Sequence, residues 1–190
     1  MCKTKIYSFM KRIENLLGKN TLAVAQGMMT SPEVPWFYLP ITATKEDPII
    51  PYGGSLSHLI FKESQGIISP NYDVAFNILL AALDVQDQEL DQLFRIRLGM
   101  HTRSPHPVIF PPHVDDYRPH KTGLFYLINS DGDTIIYKEK NKSKDYTEIQ
   151  RSSPVENAWF DFDGLHYHSA QTPIDHERRI VLTYNYTTRN

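Results

Sequence analysis

An imidazole and a carboxylate, two groups that bind metal ions, lie two positions apart at His113 and Asp115. On extended backbone, side chains two positions apart point to the same face, so both can enter one pocket. A second imidazole later in the chain would complete a set of two histidines and one carboxylate. That set leaves coordination positions open and suits non-haem Fe(II).

Two later histidines, His166 and His168, are candidates for the second imidazole. They have the same parity, so both can point inward from one strand and periodicity does not separate them. A His-x-His pair is also compatible with a cupin-like site in which both histidines bind the metal. The alternative for either residue alone is a hydrogen-bonded histidine inside a barrel.

Arg178 and Arg179 directly precede the apolar run 180–184, which predicts a core strand. An arginine that enters such a strand must meet an anion, because burying an unpaired charge is costly. We therefore expect one of the two to face inward and the other to face solvent. The inward guanidinium could bind the carboxylate of a co-substrate through its forked donors, or an internal Asp or Glu.

The elements that must position these groups are short strands in the second half of the chain. Apolar or alternating runs separated by turn residues predict strands at 93–100, 107–113, 122–129, 134–138, 159–162, 165–170 and 179–186. The segment 130–133 predicts a hairpin connection between two of them. This pattern favours a mainly β protein, an antiparallel barrel or two-sheet roll with helices packed on one outside face.

The first half of the chain has a different texture. Helical spacing of apolar residues predicts one helix from Ile6 to Leu17, ending at Gly18, and a second over residues 71–83. A proline- and aromatic-rich stretch at 30–54 predicts an irregular connection. We interpret 1–190 as a single domain, with a helical and irregular support region at 1–92 and a catalytic core at 93–190.

Composition excludes several classes of protein. A formal charge of -2 gives no electrostatic case for nucleic acid or an anionic membrane. A single cysteine, Cys2, excludes an internal disulfide framework and fits a reducing compartment. The sequence has no signal-peptide core and no apolar stretch long enough to span a membrane, so we expect a soluble cytoplasmic protein.

The second half of the chain resembles the Fe(II)- and 2-oxoglutarate-dependent oxygenases, in particular small prolyl-4-hydroxylase-like proteins of phages and bacteria. The resemblance covers roughly residues 93–187. The segments that carry it are Pro112-His113-Val114-Asp115, Leu124-Phe125-Tyr126-Leu127-Ile128-Asn129, Asp131-Gly132-Asp133-Thr134, Phe162-Asp163-Gly164-Leu165-His166-Tyr167-His168, Pro173 and Arg179-Ile180-Val181-Leu182-Thr183-Tyr184.

The resemblance implies a double-stranded β-helix, a jelly-roll or cupin-like barrel. It implies His113, Asp115 and a distal histidine as metal ligands. In the family, a proline and a basic residue follow the distal histidine at fixed intervals, and Pro173 and the arginine pair satisfy both for His168 better than for His166.

The resemblance also implies how a co-substrate is held. Arg179 fits the register of the family's 2-oxoglutarate-binding basic residue, and Arg178 is the alternative. Tyr126 matches a tyrosine that binds the same distal carboxylate in several relatives, although plain core packing is an equal interpretation. The stretch 174–177 lacks a glycine that many relatives carry, which affects the register of the arginine.

The function implied is a dioxygenase that uses Fe(II), 2-oxoglutarate and O2, with ascorbate as a potential stimulant, to hydroxylate an unidentified primary substrate. A protein or peptide side chain such as proline is one class of substrate. Two other hypotheses remain open at this point. One is a cupin-like metalloenzyme that does not use 2-oxoglutarate, and the other is an inactive structural or interaction module on the same fold.

Overall fold

The structure, a computed structural model, describes residues 10–40, 51–52 and 54–189. Within these residues two helices are present, α1 (Lys19–Met29) and α2 (Tyr72–Val85). The strands are β1 (Lys11–Ile13), β2 (Phe37–Leu39), β3 (Ser55–Lys62), β4 (Gly66–Ile67), β5 (Glu89–Thr102), β6 (Lys121–Tyr126), β7 (Thr134–Tyr137), β8 (Glu148–Ser152), β9 (Ala158–Asp163), β10 (His168–Ala170) and β11 (Arg178–Arg189).

The strands form two antiparallel sheets. The larger sheet has the order β1-β9-β6-β11-β5-β3-β2, with β4 added beside β3, and the smaller has the order β10-β7-β8. The two sheets face each other as the layers of a double-stranded β-helix, which confirms the predicted mainly β fold. Strand β11 lies at the centre of the larger sheet, paired with β5 on one side and β6 on the other.

The larger sheet has a different character on each face. Leu182, Tyr184 and Ile96 belong to a core cluster that also contains Met29 of α1 and Leu79 of α2. The alternate positions of β5 and β11 point away from the helices into the space between the sheets, because side chains alternate along a strand. This arrangement confirms that the helices pack on one outside face and leaves the inner face free to form a site.

The prediction of a helix ending at Gly18 was wrong for the described residues. Lys11–Ile13 form β1, which pairs with β9 at the edge of the larger sheet. Gly18 precedes α1 as its N-cap residue and does not end a helix. In this segment the backbone hydrogen bonds to β9 stabilise a strand more than the apolar spacing stabilises a helix. Periodicity reports only a local preference, which tertiary pairing can override. The part of the predicted helix before Met10 lies outside the described residues.

The N-terminal half also contains strands that the sequence interpretation omitted. Besides β1, the strands β2, β3 and β4 add to the larger sheet. The helix predicted over 71–83 is confirmed as α2. The predicted irregular connection at 30–54 includes β2, whereas residues 41–50 and 53 lie outside the described residues. The boundary between a support region and a catalytic core stays a prediction.

A strand predicted beside the smaller sheet is largely absent from the structure. The predicted strand 107–113 is present only as isolated bridges, Ile109 to Gln171 and His113 to His168. Prolines in this segment lack the N–H groups that a continuous ladder needs.

The predicted hairpin at 130–133 is not a hairpin, because it joins β6 of the larger sheet to β7 of the smaller one. Gly132 lies so close to the backbone of Gln171 and Thr172 that a Cβ atom at this position would collide with it. The close approach explains a glycine here without any turn between paired strands.

Neither α1 nor α2, the helices of the described residues, is long and apolar enough to cross a membrane.

Candidate active site

Three potential metal ligands converge between the two sheets. The ligand atoms of His113, Asp115 and His168 all lie within 4.8 Å of one another. Asp115 Oδ1 lies 3.9 Å from His113 Nε2, and Asp115 Oδ2 lies 3.9 Å from His168 Nε2. Side chains distant in sequence therefore present two nitrogens and a carboxylate to one small volume.

Backbone pairing brings the two histidines together. The His113 N–H donates to the His168 carbonyl at 3.0 Å, and the His168 N–H donates to the His113 carbonyl at 2.9 Å. Directly opposed residues in an antiparallel pair project their side chains to the same face. The two imidazole rings accordingly lie side by side, with centroids 4.7 Å apart.

The hydrogen bonds of both rings leave one nitrogen of each available. His113 Nδ1 lies 3.1 Å from the Pro111 carbonyl, and His168 Nδ1 lies 3.1 Å from the His166 carbonyl. A carbonyl accepts only, so each Nδ1 carries the proton and each Nε2 keeps a lone pair. Neutral imidazoles oriented through Nδ1 are the usual form of histidine metal ligands. The chemistry of this donor set therefore fits a divalent cation.

The charges of the three groups suit the same purpose. Burial alone would raise the pKa of Asp115, but the Arg95 guanidinium and the two imidazoles hold it well below its ordinary value. Burial lowers the pKa of His113, and burial together with the neighbouring His113 lowers that of His168 to about 4. At neutral pH the group is thus one carboxylate and two neutral imidazoles, the protonation state that metal binding requires.

His166 is separate from this group. Its Nδ1 lies 2.7 Å from the carbonyl of Tyr137, and its backbone N–H closes a turn with the carbonyl of Asp163. The residue precedes β10, so the expectation that His166 and His168 share one strand does not hold. A turn breaks the alternation on which equal parity relies, and only His168 faces His113 and Asp115.

The two arginines have opposite environments, as predicted. Arg178 is exposed, whereas Arg179 is 5% exposed and lines the same cavity as the three ligands. Arg179 Nη2 donates to Thr134 Oγ1 at 2.6 Å, and its buried Nε has no hydrogen-bond partner among the described residues. A guanidinium with a free donor beside the ligand group is suited to a carboxylate.

The loop before Arg179 is held by a carboxylate and not by a glycine. Asp131 accepts hydrogen bonds from the backbone N–H groups of Ile174, Asp175 and His176 at 2.8 to 3.0 Å. These bonds tie the loop to the 130–133 connection and fix where β11 begins. Arg179 then lies opposite His101 of β5.

Tyr126 lies behind Arg179. Its hydroxyl contacts Thr134 Oγ1 at 3.2 Å and Ser152 Oγ at 3.0 Å, and the Arg179 guanidinium carbon lies 5.9 Å from its ring centroid. The side chain is fully buried and is not among the residues that line the cavity, whereas Thr134 is. This position makes Tyr126 a support for Arg179 and Thr134.

Sequence reasoning missed several polar residues of the inner face. Arg95 forms an ion pair of 2.6 Å with Asp115 Oδ1, and Asn185 donates to Asp115 Oδ2 at 3.1 Å. Arg97 and His101 line the cavity from the same strand as Arg95. The sequence signal for these residues was the alternation of polar and apolar residues in β5. The polar positions of this strand face the interior of the barrel and not solvent.

Several solved structures share this architecture at low sequence identity. An oxidoreductase of the 2OG-Fe(II) oxygenase family from Burkholderia pseudomallei aligns over 97% of this chain and 87% of its own, with a TM-score of 0.67 and 13% identity. A Pseudomonas putida prolyl-4-hydroxylase aligns over 96% of this chain and 95% of its own, with a TM-score of 0.54 and 14% identity.

A prolyl hydroxylase from Trichoplax adhaerens, solved in complex with a peptide fragment of hypoxia inducible factor, covers 95% of this chain and 84% of its own. Its TM-score is 0.56 and its identity 12%. No protein-family model matches the sequence, and no curated protein is significantly similar to it. The structural comparisons show that the chain has the fold of the 2-oxoglutarate-Fe(II) oxygenases. The similarity is detected in the structure and not in the sequence.

Proposed function

We propose that the protein is a non-haem Fe(II)- and 2-oxoglutarate-dependent dioxygenase that hydroxylates a C–H bond. In the overall reaction, 2-oxoglutarate, O2 and the substrate C–H group give succinate, CO2 and the hydroxylated product. The observation that carries the proposal is one cavity whose lining includes the imidazoles of His113 and His168, the ionised carboxylate of Asp115 and the buried guanidinium of Arg179. These are the groups that a metal and a dicarboxylate need.

The metal would be held by His113, Asp115 and His168. Each imidazole offers an Nε2 lone pair, and the carboxylate supplies charge. Arg95 and Asn185 occupy the outer side of the carboxylate and keep it directed at the imidazoles. Residues that hold a ligand in this way raise metal affinity by fixing its orientation.

The distal carboxylate of 2-oxoglutarate would be bound by Arg179. Thr134 accepts one N–H of the guanidinium and thereby fixes its plane, while the free Nε–H remains available. Arg178 is exposed and does not line the cavity, so the role falls to Arg179.

Fe(II) and 2-oxoglutarate supply the oxidising chemistry when bound, and the protein supplies ligation, orientation and exclusion of water. Phe110, Leu124 and Val181 give the cavity apolar walls beside its polar groups. An apolar wall next to the reacting centre strengthens the electrostatic grip on the co-substrate, because it lowers the local dielectric.

The primary substrate is a finer part of the proposal. A protein or peptide side chain such as proline is one class, supported by the likeness to the prolyl hydroxylases described above. A small molecule is another, since a Streptomyces hygroscopicus protein of the same fold was solved with nickel, 2-oxoglutarate and hygromycin B. We propose O2 as the oxidant for either class and ascorbate as a stimulant of turnover.

The proposal is tested by an anaerobic titration. Protein loaded with Fe(II) should develop a visible charge-transfer absorption band when 2-oxoglutarate is added, and should release succinate once O2 is admitted. A cupin-like metalloenzyme would bind the metal without forming this band. An inactive module would retain no stoichiometric metal when purified without chelators, and either result would contradict the proposal.

A further inference from the structure

The inner face of β5 carries a second buried guanidinium, which the proposed co-substrate site does not use. Arg97 lines the cavity that contains the three candidate ligands and also an adjoining outer cavity of about 510 Å³. A volume of this size is typical of pockets that take a small molecule or a substrate side chain. Asp115 lines both cavities as well, so the outer one opens directly beside the candidate metal centre.

Arg97 has no internal partner in the part of the chain that the structure describes. None of the hydrogen bonds or ion pairs of those residues involves its side chain, and its buried Nε has no acceptor. Burial and the nearby positive charge of Arg95 lower the pKa of Arg97 to about 10, although the Asp115 carboxylate, which is itself paired with Arg95, acts in the opposite direction. The group therefore stays charged at neutral pH. An unpaired cation in such a place is costly unless a ligand supplies the missing anion.

Arg97 and Arg179 line the same cavity from different positions along the sheet. Arg179 is paired with His101 on β5, whereas Arg97 is paired with Thr183, four residues farther along β11. At the usual rise per residue this places the two backbone positions about 13 Å apart. Arg97 is close to Arg95, whose guanidinium contacts Asp115, and therefore lies toward the outer cavity.

The geometry points to Arg97 as the anchor for a carboxylate group of the primary substrate. The inference rests on the proposed function and narrows it to substrates that carry a carboxylate near the carbon that reacts. A guanidinium matches a carboxylate with two parallel N–H donors, which would fix both the position and the orientation of the substrate.

The surrounding charges favour a carboxylate over a phosphate. Arg95 is already paired with Asp115, and Arg118 at the rim is paired with Asp116 and Glu63, each at 2.8 Å or less. Lys62, the remaining basic side chain of the outer cavity, is exposed to solvent, where water weakens its charge interactions. One free guanidinium balances one negative charge. A phosphate dianion would leave a second charge facing the carboxylates of the rim, which is unfavourable.

The test uses Zn(II)-loaded protein, which is diamagnetic and does not turn over, with saturating 2-oxoglutarate so that Arg179 is occupied. The Nε–H signal of Arg97 is followed by NMR and identified by its loss in Arg97→Gln. Propionate and propionamide are the matched probes, since they have the same size and shape, and the amide lacks the charge and one of the two acceptor oxygens of the carboxylate. Propionate should shift the signal and bind at least about 10-fold more tightly than the amide, in line with a charge-assisted hydrogen bond.

Arg118→Gln is the matched control, because it removes the same charge from the rim of the same cavity. Propionate affinity should change less than twofold in this variant and should fall to that of the amide in Arg97→Gln. The inference is overturned if propionate leaves the Arg97 signal unmoved, if the amide binds equally well, or if inorganic phosphate binds more tightly than propionate. Should Arg97→Gln not fold, Arg97→Lys, which keeps the charge but also lacks the guanidinium Nε–H, identifies the signal by the same loss, and the titration of that signal in the wild-type protein decides.

Two further measurements separate this inference from the proposed function. If Arg97→Gln weakens 2-oxoglutarate binding 10-fold, Arg97 holds the co-substrate and the inference is wrong while the proposed function stands. If wild-type protein does not bind 2-oxoglutarate at all, the proposed function fails. The response of the Arg97 signal to propionate and propionamide is read independently in either case.

Discussion

Arg179 and Thr134 are joined by a hydrogen bond of 2.6 Å that spans the two sheets of the barrel. Arg179 belongs to β11 of the larger sheet and Thr134 to β7 of the smaller one. The bond holds the guanidinium plane in place while leaving the Nε–H free. A guanidinium that is already held in position loses less conformational entropy when it binds a carboxylate.

Replacing Thr134 should therefore weaken co-substrate binding without removing the charge that binds it. Thr134→Val keeps the shape of the side chain but deletes the acceptor, and we expect the dissociation constant of 2-oxoglutarate to rise by about 10-fold. Thr134→Ser keeps the hydroxyl and should stay within about threefold of the wild type. Anaerobic titration of the Fe(II) protein measures both, and equal behaviour of Val and Ser would show that the bond has no such role.

The adjacent arginines provide a matched pair for the charge itself. Arg179→Gln should raise the 2-oxoglutarate concentration needed for half-maximal succinate release by about 100-fold, because a buried charge-assisted contact is lost. Arg178→Gln removes the same charge from an exposed position and should change it less than twofold. The reverse order would move the role by one residue.

The candidate ligands should be separable from the neighbouring histidine by metal analysis. His113→Ala, Asp115→Ala and His168→Ala should each lower Fe(II) affinity by more than about 100-fold, beyond the range typical of residues that only orient a ligand. His166→Ala should retain metal, since its ring contacts the Tyr137 carbonyl outside the group. Equal loss in His166→Ala and His168→Ala would instead favour a cupin-like site.

The buried neutral histidines predict how the metal-free protein responds to acid. The pKa of His168 falls from 6.5 to about 4 on folding, mainly through burial, and the pKa of His101 is also lowered by burial. The unfolded chain therefore binds more protons than the folded one between these values, so the free energy of unfolding decreases as the pH falls from about 6.5 toward 4.

For His168 alone this decrease should amount to about 3 kcal/mol. Urea unfolding with a chelator present, repeated at several pH values, measures it. His168→Gln should flatten the curve, because glutamine does not titrate. A wild-type stability that is constant over this pH window would contradict the environments assigned to these rings.

Local sequence patterns were sufficient for much of the fold. The alternation in β5, β6, β9 and β11 and the apolar face of α2 were strong enough to place these elements within a few residues. These predictions succeed because each element must bury one apolar face in any packing that the chain adopts, and that face is visible in the sequence. The two-residue spacing of His113 and Asp115 predicted that both side chains point to one face, and in the structure their ligand atoms lie within 4.8 Å of each other.

Other features depended on pairings that no local pattern contains. The run before Gly18 has helical spacing, yet Lys11–Ile13 within it form β1 because the edge of β9 is available for pairing. His166 and His168 are equivalent by periodicity, and only the turn before β10 together with the bridge to His113 separates them.

The sequence by itself determined most strands of the second half of the chain, the helix α2 and the residue types that make a metal site possible, because these follow from hydrophobic periodicity and side-chain chemistry. Only the tertiary structure decided that His168 joins His113 and Asp115, that Arg179 faces inward, and that Arg97 lines the cavity without a partner among the described residues. The physical reason is that long-range strand pairing sets which side chains share a volume, and a one-residue change in register would exchange the two faces of each strand.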